Sequence, residues 1–455
     1  MSSHPALISE APGSAGIYLT DQADWNKGIA VPDRLKAQAM ASGFEAGEGQ
    51  MVWVASAEGE VAHVLFGMGD GQSPLILAGL AARLPEGDYH IERDAGLDLA
   101  TIGLGWSDGA YRFQRYVQKP KASPRLVIGE DIGAAAIRLE AGAIDRLRDM
   151  VNTPAEDMGP EAIQAVIEAL AERYGASLNT CTGEALLRDN YPMVHAVGRA
   201  GPQAPRLMEL SWGKSEYPEL AIIGKGVAFD TGGLNLKTGN YMRLMKKDMG
   251  GAAHAIALAE LVMGAALPVH LKLYVPAVEN GISGNAFRPG DILNSRKGLT
   301  VEIDNTDAEG RLILGDALAR ACESSPDLVI DFATLTGAAR VAVGPDLAPF
   351  YTDDADLVTA MQQASADTSD PVWHMPLWQP YKSMLKSPIA DIVNSASSSF
   401  AGSITAALFL QHFVDAPRWI HLDVWAWREA KYGRPAGGAA CGLRAVWRLL
   451  QTRYG

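Results

Sequence analysis

The sequence predicts an α/β fold in two parts. The larger, C-terminal part is a mixed, largely parallel sheet covered by helices on both faces, and a smaller α/β domain precedes it. Three observations point there. At 455 residues the chain exceeds one ordinary domain. Beyond residue 200, apolar strand-like runs recur at ELAIIG, VHLKLYVPAV, LTVEID, DLVIDFATL and RWIHLDVWAW. Helical runs sit between several of them: GGAAHAIALAELVMGA, RLILGDALARACES and GSITAALFLQHFV. Continuous apolar strands alternating with helices are what a parallel sheet buried on both faces requires. In such sheets ligands bind beyond the carboxyl ends of the strands.

Taken in order, residues 1–125 form the small N-terminal domain. MVWVASAEGEVAHVLFG supplies β-like runs and SPLILAGLAARL a helix, with little that looks like chemistry. QKPKASPR, Gln118 to Arg125, is a Pro- and Lys-bearing seam and marks the boundary. Residues 126–150 are a connecting segment and helix, because Ile137, Leu139, Ile144, Leu147 and Val151 recur at helical spacing within Gly133 to Asn152. Residues 151–455 form the larger domain, which opens on a second helix with Pro160 near its first turn. No internal repeat or low-complexity tract interrupts it.

Composition narrows the function. Apolar residues are 48% and charged residues 20%, normal for a globular chain with a large core. A net charge of −14 disfavours nucleic acid and anionic membrane surfaces as partners. Cys181, Cys322 and Cys441 are odd in number and far apart, so no disulfide framework or zinc ribbon is expected. The N-terminus lacks a basic start and a long apolar run, so no signal peptide is expected and a soluble cytoplasmic protein is the default. Gly250 to Leu267 contains His254 and Glu260, too polar to span a bilayer, and reads as a buried helix.

Three charged loops carry the chemistry. GKGVAFDTGGLNLK, Gly224 to Lys237, follows the apolar run Leu220 to Ile223 and sets Lys225, Asp230 and Lys237 among glycines. EIDNTDAEGRLILGDAL, Glu302 to Leu318, places Asp307 and Glu309 two apart, facing the same way if the segment is extended, with Arg311 after Gly310. MKKDMGGAAHAIAL places Asp248 just before Gly-Gly and a helix. Converging carboxylates repel unless protonated or bound to a cation, and four suffice for two divalent ions. Each piece alone has a plainer explanation. Asp248 could cap a helix, NTDAEG could be a polar turn, and Lys225 could lie on the surface. His421 and Asp423 could be ligands, but read rather as structural strand-end residues. No GxxxxGK[ST], EF-hand loop, HExxH or GxSxG occurs.

Together, GKGVAFDTGGLNLK, MKKDMGGAA and NTDAEGRL resemble the M17 leucyl aminopeptidase (cytosol aminopeptidase) family. The octapeptide Asn305 to Leu312 matches that family's signature in full. The resemblance extends through VNTPAEDMGP (151–160), AVGRAGPQAPRLMEL (196–210), DFATLTGA (331–338) and FAGSITAALFLQHFV (400–414), covering nearly everything from residue 150 onward. In the first 125 residues no family motif is recognised, although a small α/β N-terminal domain is what the resemblance leads one to expect there.

The resemblance implies an aminopeptidase with two divalent ions, zinc or manganese, held by Lys225, Asp230, Asp248, Asp307 and Glu309. Asp230 and Glu309 would bridge the ions. Lys225, as a neutral amine, and Asp248 would complete the tighter site, and Asp307 the more exchangeable one. Lys237 and Arg311 fall on the family's two catalytic positions outside the ligand set. Lys237 would polarise the scissile carbonyl, and Arg311 would hold a bicarbonate as general base. Met245, Asn305, Thr334, Leu335 and Gly337 fall on substrate-binding positions. The partners implied are peptides with a free N-terminus, and the assembly a homohexamer with the catalytic domains at its centre. One departure bears on specificity: HLDVWAW places Trp425 where relatives carry a pocket alanine, and Arg428 where a pocket methionine can occur. A preference for N-terminal residues smaller than leucine, or differently shaped, follows. Two rival readings are another two-metal hydrolase, such as a phosphoesterase, and a DNA-binding regulator, which the acidic balance disfavours.

Overall fold

The structure is a computed structural model that describes residues 4–70 and 74–455. Ser73, which opens the helical stretch SPLILAGLAARL, and the first three residues lie outside the described residues. The chain divides into two compact units, Met1–Asp145 with Glu429–Gly437, and Arg146–Arg428 with Gly438–Gly455.

The first unit is built on a six-stranded sheet. Its order is Leu7–Ile8, Arg125–Val127, Asp88–Arg93, Ala15–Thr20, Val61–Gly67, Met51–Ala55, parallel throughout except for the last pair. MVWVASAEGEVAHVLFG becomes that antiparallel pair. The inner strands bury both faces. Ile17, Leu19, Val64 and Phe66 pack with Leu77, Leu80, Ile102 and Trp106, whereas Leu65 and Val54 pack with Leu35 and Ala39 of the helix Asp33–Ala41. The predicted connecting helix spans Ile132–Asn152.

The second unit holds a nine-stranded sheet. Four parallel strands form its centre, in the order Trp419–Asp423, Leu328–Ala333, Glu219–Gly224, His270–Asn280. Arg206–Trp212 and Ser177–Thr182 extend it antiparallel on one side, and Ala348–Tyr351 joins antiparallel on the other. The central strands are buried at nearly every position, as their unbroken apolar runs require. The helix Gly250–Gly264 is buried along its whole length except Gly264, which explains a composition apolar on all sides. No helix among the described residues is long and apolar enough to cross a membrane. The helix lies tight on the sheet. A Cβ at Gly251 would be driven into the Phe332 carbonyl, and one at Gly224 would meet the Ala252 Cα at 2.6 Å. The helix Pro160–Tyr174 begins with Pro160 at its first position, as expected.

One expected strand lies elsewhere. LTVEID contributes Thr300–Glu302 to a separate three-stranded sheet with Ile292–Asn294 and Ile392–Val393, not to the main sheet. The reason is its alternation: Val301 and Ile303 are fully buried while Thr300 and Glu302 are half-buried, the pattern of a strand with one face in the core.

Candidate metal centre

The charged loops meet at the carboxyl ends of the central strands. Glu219–Gly224 runs directly into Lys225, and the short strand Gly226–Asp230 pairs with the end of His270–Asn280. After Asp230 the chain turns sharply through Gly232 (φ +89°) and Gly233 (φ +62°), conformations that L side chains rarely adopt. The turn lets Gly232 N donate to Asp230 Oδ1 at 2.8 Å. Asn280, fully buried, donates to the same oxygen at 2.8 Å and to the Thr306 carbonyl at 3.1 Å, which joins two of the loops.

Two of the loops have a different local shape from that expected. Asp307 and Glu309 do not lie on an extended segment. Residues 306–307 form a turn, and Glu309 is already helical at the mouth of Gly310–Cys322, with φ −73° and ψ −37°. The turn still brings them together: Asp230, Asp307 and Glu309 present oxygens within 4.8 Å of one another. Asp248 is not at a strand end. It lies in the 3-10 helix Gly239–Met249, and the following helix is capped at Met249 without a side-chain bond, so Asp248 is not a cap.

The lysines are threaded among these carboxylates. Lys225 Nζ lies 2.7 Å from Asp248 Oδ2, 2.9 Å from Glu309 Oε1 and 2.9 Å from the Thr334 carbonyl. Lys237 Nζ lies 2.8 Å from Asp230 Oδ2 and 2.5 Å from Asp307 Oδ1. Burial alone would lower the Lys225 ammonium, but Asp248, Glu309 and Asp230 outweigh it and hold it above the ordinary lysine range. The neutral amine expected at Lys225 is therefore not what the protein's own charges produce; a cation on the same carboxylates reverses that balance. Burial, and then the Asp230 charge, push Glu309 up to about 8 and Asp307 up to about 6.

These residues fit divalent cations. Asp248 Oδ2, Asp307 Oδ1 and Glu309 Oε1 are buried with only a lysine ammonium beside them, and Glu309 Oε2 is buried with no partner among the described residues. A set of carboxylate oxygens with one amine suits a hard or borderline divalent ion. Gly310 fits the same picture. A Cβ there would lie 2.6 Å from both Cδ and Nζ of Lys225. Gly310→Ala is expected to push Lys225 off Asp248 and Glu309, weaken manganese binding and cost ~1–3 kcal/mol by overpacking. A manganese titration and a thermal melt check it; unchanged affinity would show that Lys225 can move aside without consequence.

A cavity of about 450 Å³ opens over the cluster. Lys225, Asp230, Asp248, Asp307, Lys237, Met245, Asn305, Thr334, Leu335, Gly337 and Trp425 all border it. Glu309 lies beneath, 1% exposed, and Arg311 is 8% exposed with NH1 donating to the Asn394 carbonyl at 2.7 Å. Arg311 Nε is buried without an acceptor among the described residues. Asp423 accepts from Leu335 N (2.9 Å), Thr336 N (3.1 Å) and Thr336 Oγ1 (2.7 Å). His421 is held by Asp331 at 2.6 Å. Both stay outside the cluster, consistent with structural roles. Arg428 is buried and does not border the cavity.

Sequence reasoning missed Asn280, Lys247, Arg340 and Asn394. Trp425 is flanked by two of these: Lys247 Nζ lies 4.0 Å and the Arg340 guanidinium carbon 4.1 Å from its ring centre. The second half of LTGAAR carries Arg340, and a basic residue three positions past Gly337 was the available signal.

Known proteins are similar to this chain in sequence and in fold. Residues 146–447 match the cytosol aminopeptidase family, catalytic domain, and residues 19–129 match the M17 aminopeptidase N-terminal domain. Peptidase B of Enterobacter sp. (strain 638) is 38% identical over 363 residues, 76% of this chain and 85% of the relative. The crystal structure of a cytosol aminopeptidase from Coxiella burnetii superposes with a TM-score of 0.93 at 40% identity, over 99% of each chain. The bottromycin maturation enzyme BotP in complex with Mn superposes at 0.88 with 31% identity, over 97% of this chain and 100% of that one. The chain belongs to the cytosol aminopeptidase (M17) family, whose members are metal-dependent hydrolases acting on peptides.

Proposed function

We propose that this protein removes the N-terminal residue from peptides, with two divalent ions held by Lys225, Asp230, Asp248, Asp307 and Glu309. The observation that carries the reading is the convergence of four buried or half-buried carboxylates on one side of the cavity, their inward oxygens met by nothing but two lysine ammonium groups among the described residues. Manganese is the first ion to test, because BotP is known in complex with Mn; zinc suits the same ligands. When bound, such ions act as Lewis acids, make water acidic enough to be deprotonated near neutral pH and receive the substrate's free α-amine.

The chain's own residues do the rest. Lys237 borders the cavity and carries a charge that Asp230 and Asp307 stabilise against its burial. From there its ammonium polarises the scissile carbonyl and stabilises the developing oxyanion. Arg311 would hold a planar anion, bicarbonate, and that anion would supply the general base. Its unused buried Nε–H suits one edge of such an anion. Thr334 already gives its carbonyl to Lys225 and its hydroxyl to Asp248, and Leu335 N–H donates to Asp423. That loop therefore offers the substrate the Leu335 carbonyl, an acceptor for the leaving-group N–H. Met245, Asn305 and Gly337 line the same space. The working assembly in this reading is a homohexamer, and the compartment the cytoplasm.

The test is a panel of aminoacyl amides beside their N-acetylated forms, with manganese present. Free-amine amides are expected to be cleaved and acetylated ones left intact. Equal cleavage of both would remove the exopeptidase reading. Phosphate release from a generic ester would favour the phosphoesterase alternative.

The pocket for the first side chain is expected to disfavour leucine. Trp425 borders the cavity at a position where the family resemblance implies an alanine, and overfilling a packed site costs ~1–3 kcal/mol. Arg340 and Lys247 add positive charge at the indole, so short or acidic side chains suit this pocket better than branched apolar ones. A discrimination of ~10–200-fold is the range such a pocket reaches. Comparing kcat/KM for alanyl, aspartyl and leucyl amides in the parent, Trp425→Ala and Arg340→Ala checks it. A parent that already favours leucine, with a ranking neither variant changes, would place Trp425 outside the specificity pocket.

A further inference from the structure

We propose that Asn394 is a positioning residue that ties Arg311 to the loop carrying Asn305 and Asp307; the inference rests on the two-ion aminopeptidase reading. Asn394 is fully buried and follows the strand Ile392–Val393, which pairs in parallel with Thr300–Glu302. Its own N–H continues that ladder, donating to the Glu302 carbonyl at 2.9 Å. A two-residue strand thus delivers Asn394 to the point where residues 303–309 leave the sheet.

There the side chain binds backbone along most of the loop. Oδ1 accepts from Asp304 N at 2.9 Å and Asn305 N at 3.2 Å. Nδ2 donates to the Asn305 carbonyl at 2.7 Å and, more weakly, to the Ala308 carbonyl at 3.4 Å. The Asn394 carbonyl receives Arg311 NH1 at 2.7 Å. One residue therefore holds the segment that sets Asp307 and also orients the guanidinium beyond it.

The pattern selects asparagine. Two N–H groups and two carbonyls face this one side chain, so it must accept on one side and donate on the other. Aspartate has the same shape but only accepts. It would face the Asn305 and Ala308 carbonyls with an anion and add a carboxylate beside Asp307 and Glu309. Alanine would leave four backbone groups of the loop unpartnered by this side chain. The expected consequence is a loop that no longer fixes Asp307 and Arg311 in register. Groups that orient metal ligands from behind typically change metal affinity or activity by ~10–100-fold when removed.

The experiment compares the parent with Asn394→Ala and Asn394→Asp. It measures kcat and KM on an alanyl amide, manganese affinity by titration of chelated protein, and the melting temperature. Expected is a loss of ~10–100-fold in kcat with KM nearly unchanged, and a weakening of the weaker manganese equilibrium while the tighter one is kept. Aspartate, despite its shape, is expected not to rescue. In an Arg311→Ala background, Asn394→Ala should cost less than it does in the parent, because coupled residues are not additive. The proposal is overturned if either variant keeps parental kcat and manganese affinity, or if the two losses multiply in full. It is also overturned if both manganese equilibria weaken alike in step with a lowered melting temperature, the mark of general destabilisation. Should one variant fail to fold, the same readings on the other decide. A parent that binds no manganese would instead overturn the aminopeptidase reading, and this inference with it.

Discussion

Chelation of divalent ions is expected to abolish peptide hydrolysis while leaving the chain folded, and manganese is expected to restore activity. Both halves follow from the same cluster. The carboxylates of Asp230, Asp248, Asp307 and Glu309 converge beneath the cavity, and Lys225 and Lys237 are the only residues in salt-bridge contact with them among the described residues. The two ammonium groups compensate enough charge for the cluster to persist without an added cation, so the fold should survive. They supply neither a Lewis acid nor an acidic water, so the chemistry should not. The measurements are activity on an alanyl amide, a thermal melt before and after chelation, and metal content after reconstitution. Full activity in metal-stripped protein would end the two-ion reading. Binding of one equivalent rather than two would leave the cluster a mononuclear site.

Lys237→Ala and Arg311→Ala are each expected to lower kcat by ~10²–10³, the usual cost of removing one group that stabilises the transition state. The two should differ in a second measurement. Lys237 lies 2.8 Å from Asp230 and 2.5 Å from Asp307, so its ammonium competes with any cation for those oxygens. Lys237→Ala should bind manganese at least as tightly as the parent. Arg311 pairs with no carboxylate of the cluster and should leave manganese binding nearly unchanged. Metal analysis that found either variant empty would move that residue from catalysis to construction of the site.

The sequence revealed most where chemistry dictates residue type. Lys225, Asp230, Asp248, Asp307 and Glu309 are charged groups in or beside apolar segments, an arrangement that needs an explanation whatever the fold. The central strands were visible for a similar reason: ELAIIG and DLVIDFATL are apolar without a break, and only a sheet covered on both faces buries such runs. The supporting asparagines were not visible. Asn280 and Asn394 act on backbone groups or carboxylates 26 to 90 positions away, and nothing in their neighbours marks them. Local geometry was misjudged where a turn substitutes for a strand. Asp307 and Glu309 converge through a turn and the first turn of a helix, a shape that two-residue spacing does not specify. LTVEID was legible as a strand, and its alternation sets it apart from the unbroken central runs, but alternation does not name the partners it finds in the small sheet.

The close seating of Gly251 on Phe332, and of Gly224 on Ala252, limits how this chain can diversify. Backbone against backbone leaves no room for a larger residue where the helix seats on the sheet behind the site, so variation there disrupts packing before it can alter selectivity. The adjustable positions lie on the rim, at Met245, Gly337, Arg340 and Trp425. A library randomised at those four positions is expected to sample new first-residue preferences on an unaltered scaffold, whereas one aimed at the glycines is expected to yield mainly unfolded protein.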